Sequence, residues 1–467
     1  MWSRCGPRSF QNFRYLKSHL EKHHAYLLCA AAADDDDDVN PSANKSHVED
    51  ENEIMDSDGS DPFSVHERTD VDLTASFMSF IGQLESKPNV TYANIQIVVE
   101  SFSSFLEDLS QYCTEKVTAV LSLLNISRTS AAVESCLDDL KCLSDVLNTV
   151  DTDYKRTQYL RKSGVLIEPE ERVLSTRTDL RYVASSGYHV PIVVEDTMQY
   201  IPLEKLLGAL LVNENCNKIM THFSPAAKVQ NTEVVTHYFD TNSFKQHPFF
   251  QKFPDGLALN LYVDAFETTN VLGSHKLEGL YMVVQNFHPL YQSQLSSIFL
   301  IALWYAQDAK TYGYSKILEP IVTALLKLES DEGAHVCIGR KEIVVRAALV
   351  FVSADNLGFN SLFGFCESFS ATRFCRFCEC TRAEADHVFT ECQLKLRSRK
   401  SYDAAVSRVA TPLYDIQLTG IKRGCPLNAL QYWHFTENFV VDVMHDILEG
   451  IAPFELSLIF CKLVERR

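Results

Sequence analysis

The chain has 467 residues, of which 46% are hydrophobic and 22% charged, the proportions of a globular protein with substantial cores. Its net charge of −18 removes the easy argument from a basic pI but does not exclude nucleic acid, because about two-thirds of the excess falls between Asp34 and Asp70, where fourteen acids face two bases. The start lacks the apolar core of a signal peptide, and the apolar stretches Ala25–Ala33 and Leu295–Ala306 fall short of the roughly 20 residues needed to span a bilayer. The expectation is no membrane span and a reducing intracellular compartment, in which the fourteen cysteines are core residues or metal ligands.

Residues 1–28 carry Phe10, Phe13 and Leu16 ahead of His19, His23 and His24, with Cys5 upstream. A core aromatic and leucine before two histidines about one helical turn apart resemble the tail of a Cys2His2 zinc finger. That resemblance makes Cys5, His19, His23 and His24 ligand candidates for Zn²⁺. The pattern also needs a cysteine where Trp2 stands, so the finger is degenerate, and a short amphipathic helix is the plain alternative. Residues 29–70 include five consecutive aspartates and few aromatics, too little apolar surface to offset chain entropy, and read as a disordered acidic linker.

Residues 71–250 read as mainly helical. Leu73, Phe77, Phe80, Ile81 and Leu84 recur at helical spacing, followed by Ile95, Val98, Val99, Phe102, Phe105, Leu106 and Leu109, then Val133, Cys136, Leu137, Leu140, Leu143 and Val146. Such stripes face a core. Tyr200–Leu211 reads as a further helix with Pro202 near its first turn.

From Gly256 the pattern becomes α/β. Leu257, Leu259, Leu261 and Val263 alternate as a strand that ends on Asp264. Leu280–Val284 and Ile298–Trp304 read as two more strands, and Ile317, Ile321, Ala324, Leu325 and Leu328 share one helix stripe. A long strand, Glu342–Val352, then leads to Asp355. Three strands, a helix and a fourth strand ending on a second acid are the order of a ribonuclease-H-like fold. In that fold the first and fourth strands run side by side and bring their acids together.

A third carboxylate is expected from a later helix. In Val440–Glu449, Asp442, His445 and Glu449 fall at i, i+3 and i+7 on one helical face. The spacings of 91 residues from Asp264 to Asp355 and 94 from Asp355 to Glu449 require an insert, and Cys375-Arg-Phe-Cys378 lies within it. These motifs together resemble a eukaryotic DDE transposase of the CACTA-like group and its transposon-derived relatives. The resemblance rests on Tyr262-Val-Asp-Ala-Phe266, Ser353-Ala-Asp-Asn356, Cys375-x-x-Cys378, Tyr432-Trp433, and Asp442-Val-Met-His445 with Glu449.

The resemblance implies an α+β chain, with a helical N-terminal region and a ribonuclease-H-like core over residues 251–467 carrying a cysteine-containing insert at about 366–435. It implies Asp264, Asp355 and Glu449 as catalytic acids for Mg²⁺ or Mn²⁺, and Cys375, Cys378 and His445 as ligands of a structural Zn²⁺. Asp442 is the fourth ligand the motif suggests, with Cys425 and His434 as rivals. The plain alternatives are reduced core cysteines at 375 and 378, a helix N-cap at Asp442 and a core histidine at His445.

The expected partner is DNA, as transposon ends or chromatin, in the nucleus, with a homo-oligomer in view. Lys395, Arg397, Arg399, Lys400, Lys422 and Arg423 are the bases placed to meet it. The chain stops soon after Glu449, where such transposases continue, which reads as a truncated frame or a remnant retained for DNA or chromatin binding without catalysis.

Overall fold

A computed structural model describes residues 72–87, 90–126, 131–142, 145–183, 187–222, 235, 237–267, 276–338, 341–438 and 440–465. The expected finger, with Cys5, His19, His23 and His24, and the acidic linker lie outside these residues. The chain divides into two compact units, separated in sequence after Tyr159.

The first unit is helical. Asp72 caps helix α1 (Leu73–Ser86), its carboxylate accepting the Ala75 N–H at 2.9 Å. Thr91 caps α2 (Tyr92–Leu123), which is followed by α3 (Ala131–Cys142) and the start of α4 (Asp153–Lys162). Phe77, Met78, Ile81, Ile95, Val99, Leu147 and Val150 form its buried core. The expected stripes are only partly buried: Phe80 and Phe105 are exposed, and Phe77 and Phe102 stack at 5.4 Å.

Arg156 is fully buried in this unit, with Nη1 donating to the carbonyls of Val150 and Asp151 at 3.2 and 3.3 Å. Burial pushes the Glu85 carboxyl up to about 7, a rise opposed by the Arg156 charge and reinforced by Asp153. The raised folded-state value means that Glu85 prefers its proton when folded. Stability is therefore greatest below the unfolded pKa of 4.5 and falls as pH rises through about 7. The loss is on the order of 3 kcal/mol, since one pKa unit is worth about 1.4 kcal/mol. Urea midpoints between pH 4.5 and 7.5 should show this slope in the wild type and lose most of it in Glu85→Gln.

The second unit is built on a six-stranded mixed sheet of order β1-β2-β5-β4-β3-β8. Its strands are β1 (Glu170–Val183), β2 (Tyr188–Tyr200), β3 (Leu257–Glu267), β4 (Lys276–Val284), β5 (Phe299–Tyr305) and β8 (Ala347–Ala354). Every neighbouring pair is antiparallel except β3 with β8, which run parallel. Leu257, Ala258, Leu259, Leu261 and Val263 of β3 are all buried, as a central strand covered on both faces requires. Phe249, Phe250, Tyr238 and Phe239 pack against Ala258, Ala348 and Val350 on one side.

The helix expected over Tyr200–Leu211 is α5 (Leu203–Val212), with Pro202 as its N-cap and Tyr200 closing β2 instead, and α6 (Glu214–His222) continues it. Between β5 and β8 lie α7 (Ala306–Tyr312) and α8 (Glu319–Leu328), which buries Ile321, Ala324, Leu325 and Leu328. The helices and the mixed sheet together make an α+β arrangement.

Two expectations change. The 71–250 stretch is not mainly helical throughout, because β1 and β2 form a long hairpin that joins the sheet through Gln199 and Tyr200. The single strand expected over Glu342–Val352 breaks at Arg346. Its first part, β7 (Lys341–Val345), folds back on β6 (Ala334–Ile338), and only β8 enters the main sheet.

After β8 come α9 (Asn356–Leu362) and α10 (Arg399–Val409), joined by turns around an aromatic core. Phe435 lies 4.5 Å from Tyr402 and 5.3 Å from Phe363 there, ring centroid to ring centroid. The described chain ends in a π-helix, Val443–Ile451, running into α11 (Ala452–Glu465). Ile447, Leu448, Ile451, Phe454, Phe460 and Leu463 are exposed on these two helices. Among the described residues, no helix is long and apolar enough to cross a membrane.

Candidate functional site

The parallel ladder between β3 and β8 pairs Val263 with Ala354, so the next positions, Asp264 and Asp355, fall side by side at one end of the sheet. β3 does not end at Asp264 as expected; it runs on to Glu267 against β4 alone. Asp264 therefore lies at the step where β8 leaves the ladder. Its carboxyl is raised by burial and by the charge of Asp355, partly offset by the Ala265 N–H and by His445. Asp355 caps α9, its Oδ1 accepting the Gly358 N–H at 2.5 Å.

The segment expected to be an α-helix from Val440 is a π-helix from Val443, and Asp442 stands outside it as the N-cap. The Asp442 Oδ1 accepts the N–H groups of Met444 and His445 at 2.9 and 3.2 Å, and its Oδ2 lies 2.6 Å from His445 Nδ1. Burial pushes the Asp442 carboxyl up, but the hydrogen bonds and charge of His445 outweigh this and hold it below the usual range. The hydrogen bond that His445 donates to Asp442 raises His445 in turn, and Glu449 and Asp355 add to the rise. His445 is thus the common electrostatic neighbour of Asp264, Asp355, Asp442 and Glu449. Glu449 itself is exposed.

Burial pushes the Tyr262 hydroxyl up to about 12, with Asp264, Asp442 and Asp355 contributing, so it keeps its proton at neutral pH. Tyr262, Ser353, Phe359 and residues 440–444 line a cavity of about 330 Å³ beside the acids.

Cys375 and Cys378 are hydrogen-bonded neighbours in the turns between α9 and α10, and Cys378 Sγ lies 3.1 Å from Cys380 Sγ. Burial raises the Cys375 and Cys378 thiols. The four expected zinc ligands thus form two pairs, Cys375 with Cys378 and Asp442 with His445. Among the described residues, no three His, Cys, Asp or Glu side chains come together in a group that could hold a metal ion. The rival ligands are core residues. Cys425 is buried, its thiol pushed up to about 12, and buried His434 has Nδ1 2.7 Å from Thr436 Oγ1 and Nε2 2.9 Å from Asn428 Nδ2.

The bases expected to meet DNA are largely engaged within the fold. Arg397 is buried and donates to the carbonyls of Cys375 and Thr419, and Arg423 donates to that of Ser361. Lys395 pairs with Glu379, Lys422 with Glu367 and Arg399 with Glu437. Spacing alone gives no sign of these partners, because each is distant in sequence.

Two charged residues near the acids were missed. Glu278 on β4 accepts hydrogen bonds from Trp304 Nε1 and the Tyr314 hydroxyl, both at 2.8 Å. Its carboxyl is raised mainly by burial, and Asp355 adds to the rise. An acid inside the apolar run Leu277–Val284 was the available signal. Arg376 is the other, and its position inside the Cys-x-x-Cys was the available signal. No protein-family profile matches the chain, and no curated protein matches it in sequence.

Proposed function

We propose that the chain acts on DNA by metal-dependent phosphoryl transfer, as a transposase-like protein of the nucleus with a ribonuclease-H-like core. In this reading the core is β3, β4, β5 and β8, residues 366–435 are its insert, and the DNA is a transposon end or chromatin. The observation that carries it is the parallel pairing of β3 with β8, which sets Asp264 and Asp355 side by side. The order β5-β4-β3-β8, with only the last pair parallel, supports it further.

The donor chemistry fits. Hard carboxylate oxygens suit Mg²⁺ or Mn²⁺, and the burial and the Asp355 charge that raise the Asp264 carboxyl are what a divalent cation offsets. Asp264 and Asp355 would supply two paired donors, and the reading requires Glu449 as the third, although the three side chains do not stand grouped in this structure. The chemistry such ions would supply is activation of a water or 3′-hydroxyl and stabilisation of the leaving oxygen in an in-line displacement. The chain's own groups do the rest. The ladder fixes Asp264 and Asp355 relative to each other, and Asp442 orients the His445 ring. Tyr262 and Phe359 wall one flank with apolar surface. Soft sulfur ligands suit Zn²⁺, for which Cys375 and Cys378 would supply two donors.

A second reading, DNA or chromatin binding without catalysis, is favoured by one observation. The protein's own His445 already stands among the acids and is held towards its charged form by Asp442. Titration of the purified, folded chain with Mn²⁺, followed by electron paramagnetic resonance, separates the two. Saturable binding in the wild type, weakened at least tenfold in Asp264→Asn, is expected for the enzyme. No binding by the folded wild type rejects the catalytic reading and leaves the second.

A further inference from the structure

Arg376 stands between the two cysteines of the insert, yet it is only 6% exposed. Its guanidinium lies 4.6 Å from the ring centroid of Phe359 and 4.5 Å from that of Phe377. Arg376 Nη2 donates to Asn356 Oδ1 at 2.9 Å, and Asn356 Nδ2 donates to Asp446 Oδ1 at 2.5 Å. Its Nε has no hydrogen-bond partner among the described residues. The carboxylates acting on it are those of Asp446, Asp355 and Asp442, so a buried cation belonging to the insert is balanced by groups around the acid cluster. A guanidinium is suited to this place because it stacks flat on rings while its fork donates in a fixed direction, which an ammonium cannot do.

Asn356 directly follows Asp355 and opens α9, whereas Asp446 lies in the first turn of the π-helix that carries His445 and Glu449. We infer that Arg376 is a positioning residue: through Asn356 and Asp446 it clamps the turn after Asp355 to the π-helix, making the insert a structural part of the acid cluster. The clamp stands on the hydrogen bonds alone; its consequence for metal binding rests on the proposed catalytic reading.

The test uses the full chain with Arg376→Met, Arg376→Lys, Asp446→Ala and the double variant Arg376→Met/Asp446→Ala, since alanine removes the oxygen that accepts the Asn356 N–H whereas asparagine would keep one. A chain of bonds through one asparagine predicts non-additivity, so the double variant should lose little more urea stability than the worse single variant. Additive losses overturn the clamp. Mn²⁺ affinity is the second readout. Removing a nearby positive charge by itself tightens cation binding, so an affinity that falls at least tenfold in Arg376→Met reports lost geometry rather than lost charge. Arg376→Lys keeps the charge without the fork and should fall similarly. An unchanged or tighter affinity in Arg376→Met, or full rescue by lysine, overturns the positioning role. If the folded wild type binds no Mn²⁺, the catalytic reading fails by itself, and the stability cycle decides the clamp.

Discussion

Asp355→Asn is expected to remove saturable Mn²⁺ binding and to cut metal-dependent DNA strand cleavage by a factor on the order of 10³, at the upper end of what one electrostatic group is worth in a preorganised site. The substitution is informative because Asp355 has two roles. Its Oδ1 caps α9 by accepting the Gly358 N–H, and its charge stands beside Asp264. Asparagine caps a helix about as well as aspartate, whereas alanine costs about 1 kcal/mol. Asp355→Asn therefore isolates the charge, and its thermal midpoint should stay within a few degrees of the wild type. Asp355→Ala loses both roles, so its midpoint should fall further with no greater loss of binding. A folded Asp355→Asn that binds Mn²⁺ as the wild type does would show that the acids at this sheet end do not act together.

The acids themselves were legible because each closes a run of apolar residues long enough to read as a strand. Leu257–Val263 and Ala347–Ala354 are buried almost throughout, so their patterns report the core directly. The hairpin β1–β2 gave no such signal. Residues 176–182 are all exposed, with Arg177, Asp179 and Arg181 among them, so no apolar period marks the strand. Its register is held instead by backbone pairing and by contacts such as Arg177 with Asp196, nineteen residues away. The break at Arg346 was hidden for a related reason. The apolar run continues from Ile343-Val-Val345 of β7 into Ala347–Val352 of β8 with only Arg346 between, and their partners, β6 for one and β3 for the other, divide them.

The charges around the acids were the least legible part. Arg397 and Arg423 read as surface bases, but their partners are main-chain carbonyls that any sequence supplies. Asp442 was weighed both as a metal ligand and as a cap; the structure makes it the cap and pairs it with His445. In the π-helix each amide reaches back five residues rather than four, as Ala452 N–H does to Ile447 O. The face assigned to Asp442, His445 and Glu449 by α-helical spacing therefore changes at its first member, while His445 and Glu449 remain electrostatic neighbours.

Gly364→Ala is the second large effect, expected to destabilise the fold by about 3–5 kcal/mol from backbone strain and overpacking together. Gly364 has φ +79°, and a Cβ there would overlap the Arg423 carbonyl oxygen and stand 2.9 Å from the carbonyl carbon. The close approach is structural: Gly364 O accepts the Lys422 N–H at 2.6 Å, and Phe365 bridges to Ile421 beside it. Gly420 makes the reciprocal approach, with φ +74° and the Arg373 carbonyl against it, while its own oxygen accepts the Cys366 N–H at 2.8 Å.

Gly187 supplies the control, because it too has a positive φ, +74°, but nothing within 4 Å of a Cβ. Gly187→Ala should then cost only the left-handed conformation, about 1–2 kcal/mol. The difference between the two alanine variants measures the steric lock at the crossing. Because the crossing holds Arg373, three residues before Arg376, against Gly420, loosening it should also loosen Arg376 from Asn356. Urea midpoints and limited proteolysis across residues 364–423 check this, with cleavage expected in Gly364→Ala and not in Gly187→Ala. Equal costs for the two would mean that residues 364–423 are held by the aromatic core around Phe435 rather than by the glycine crossing.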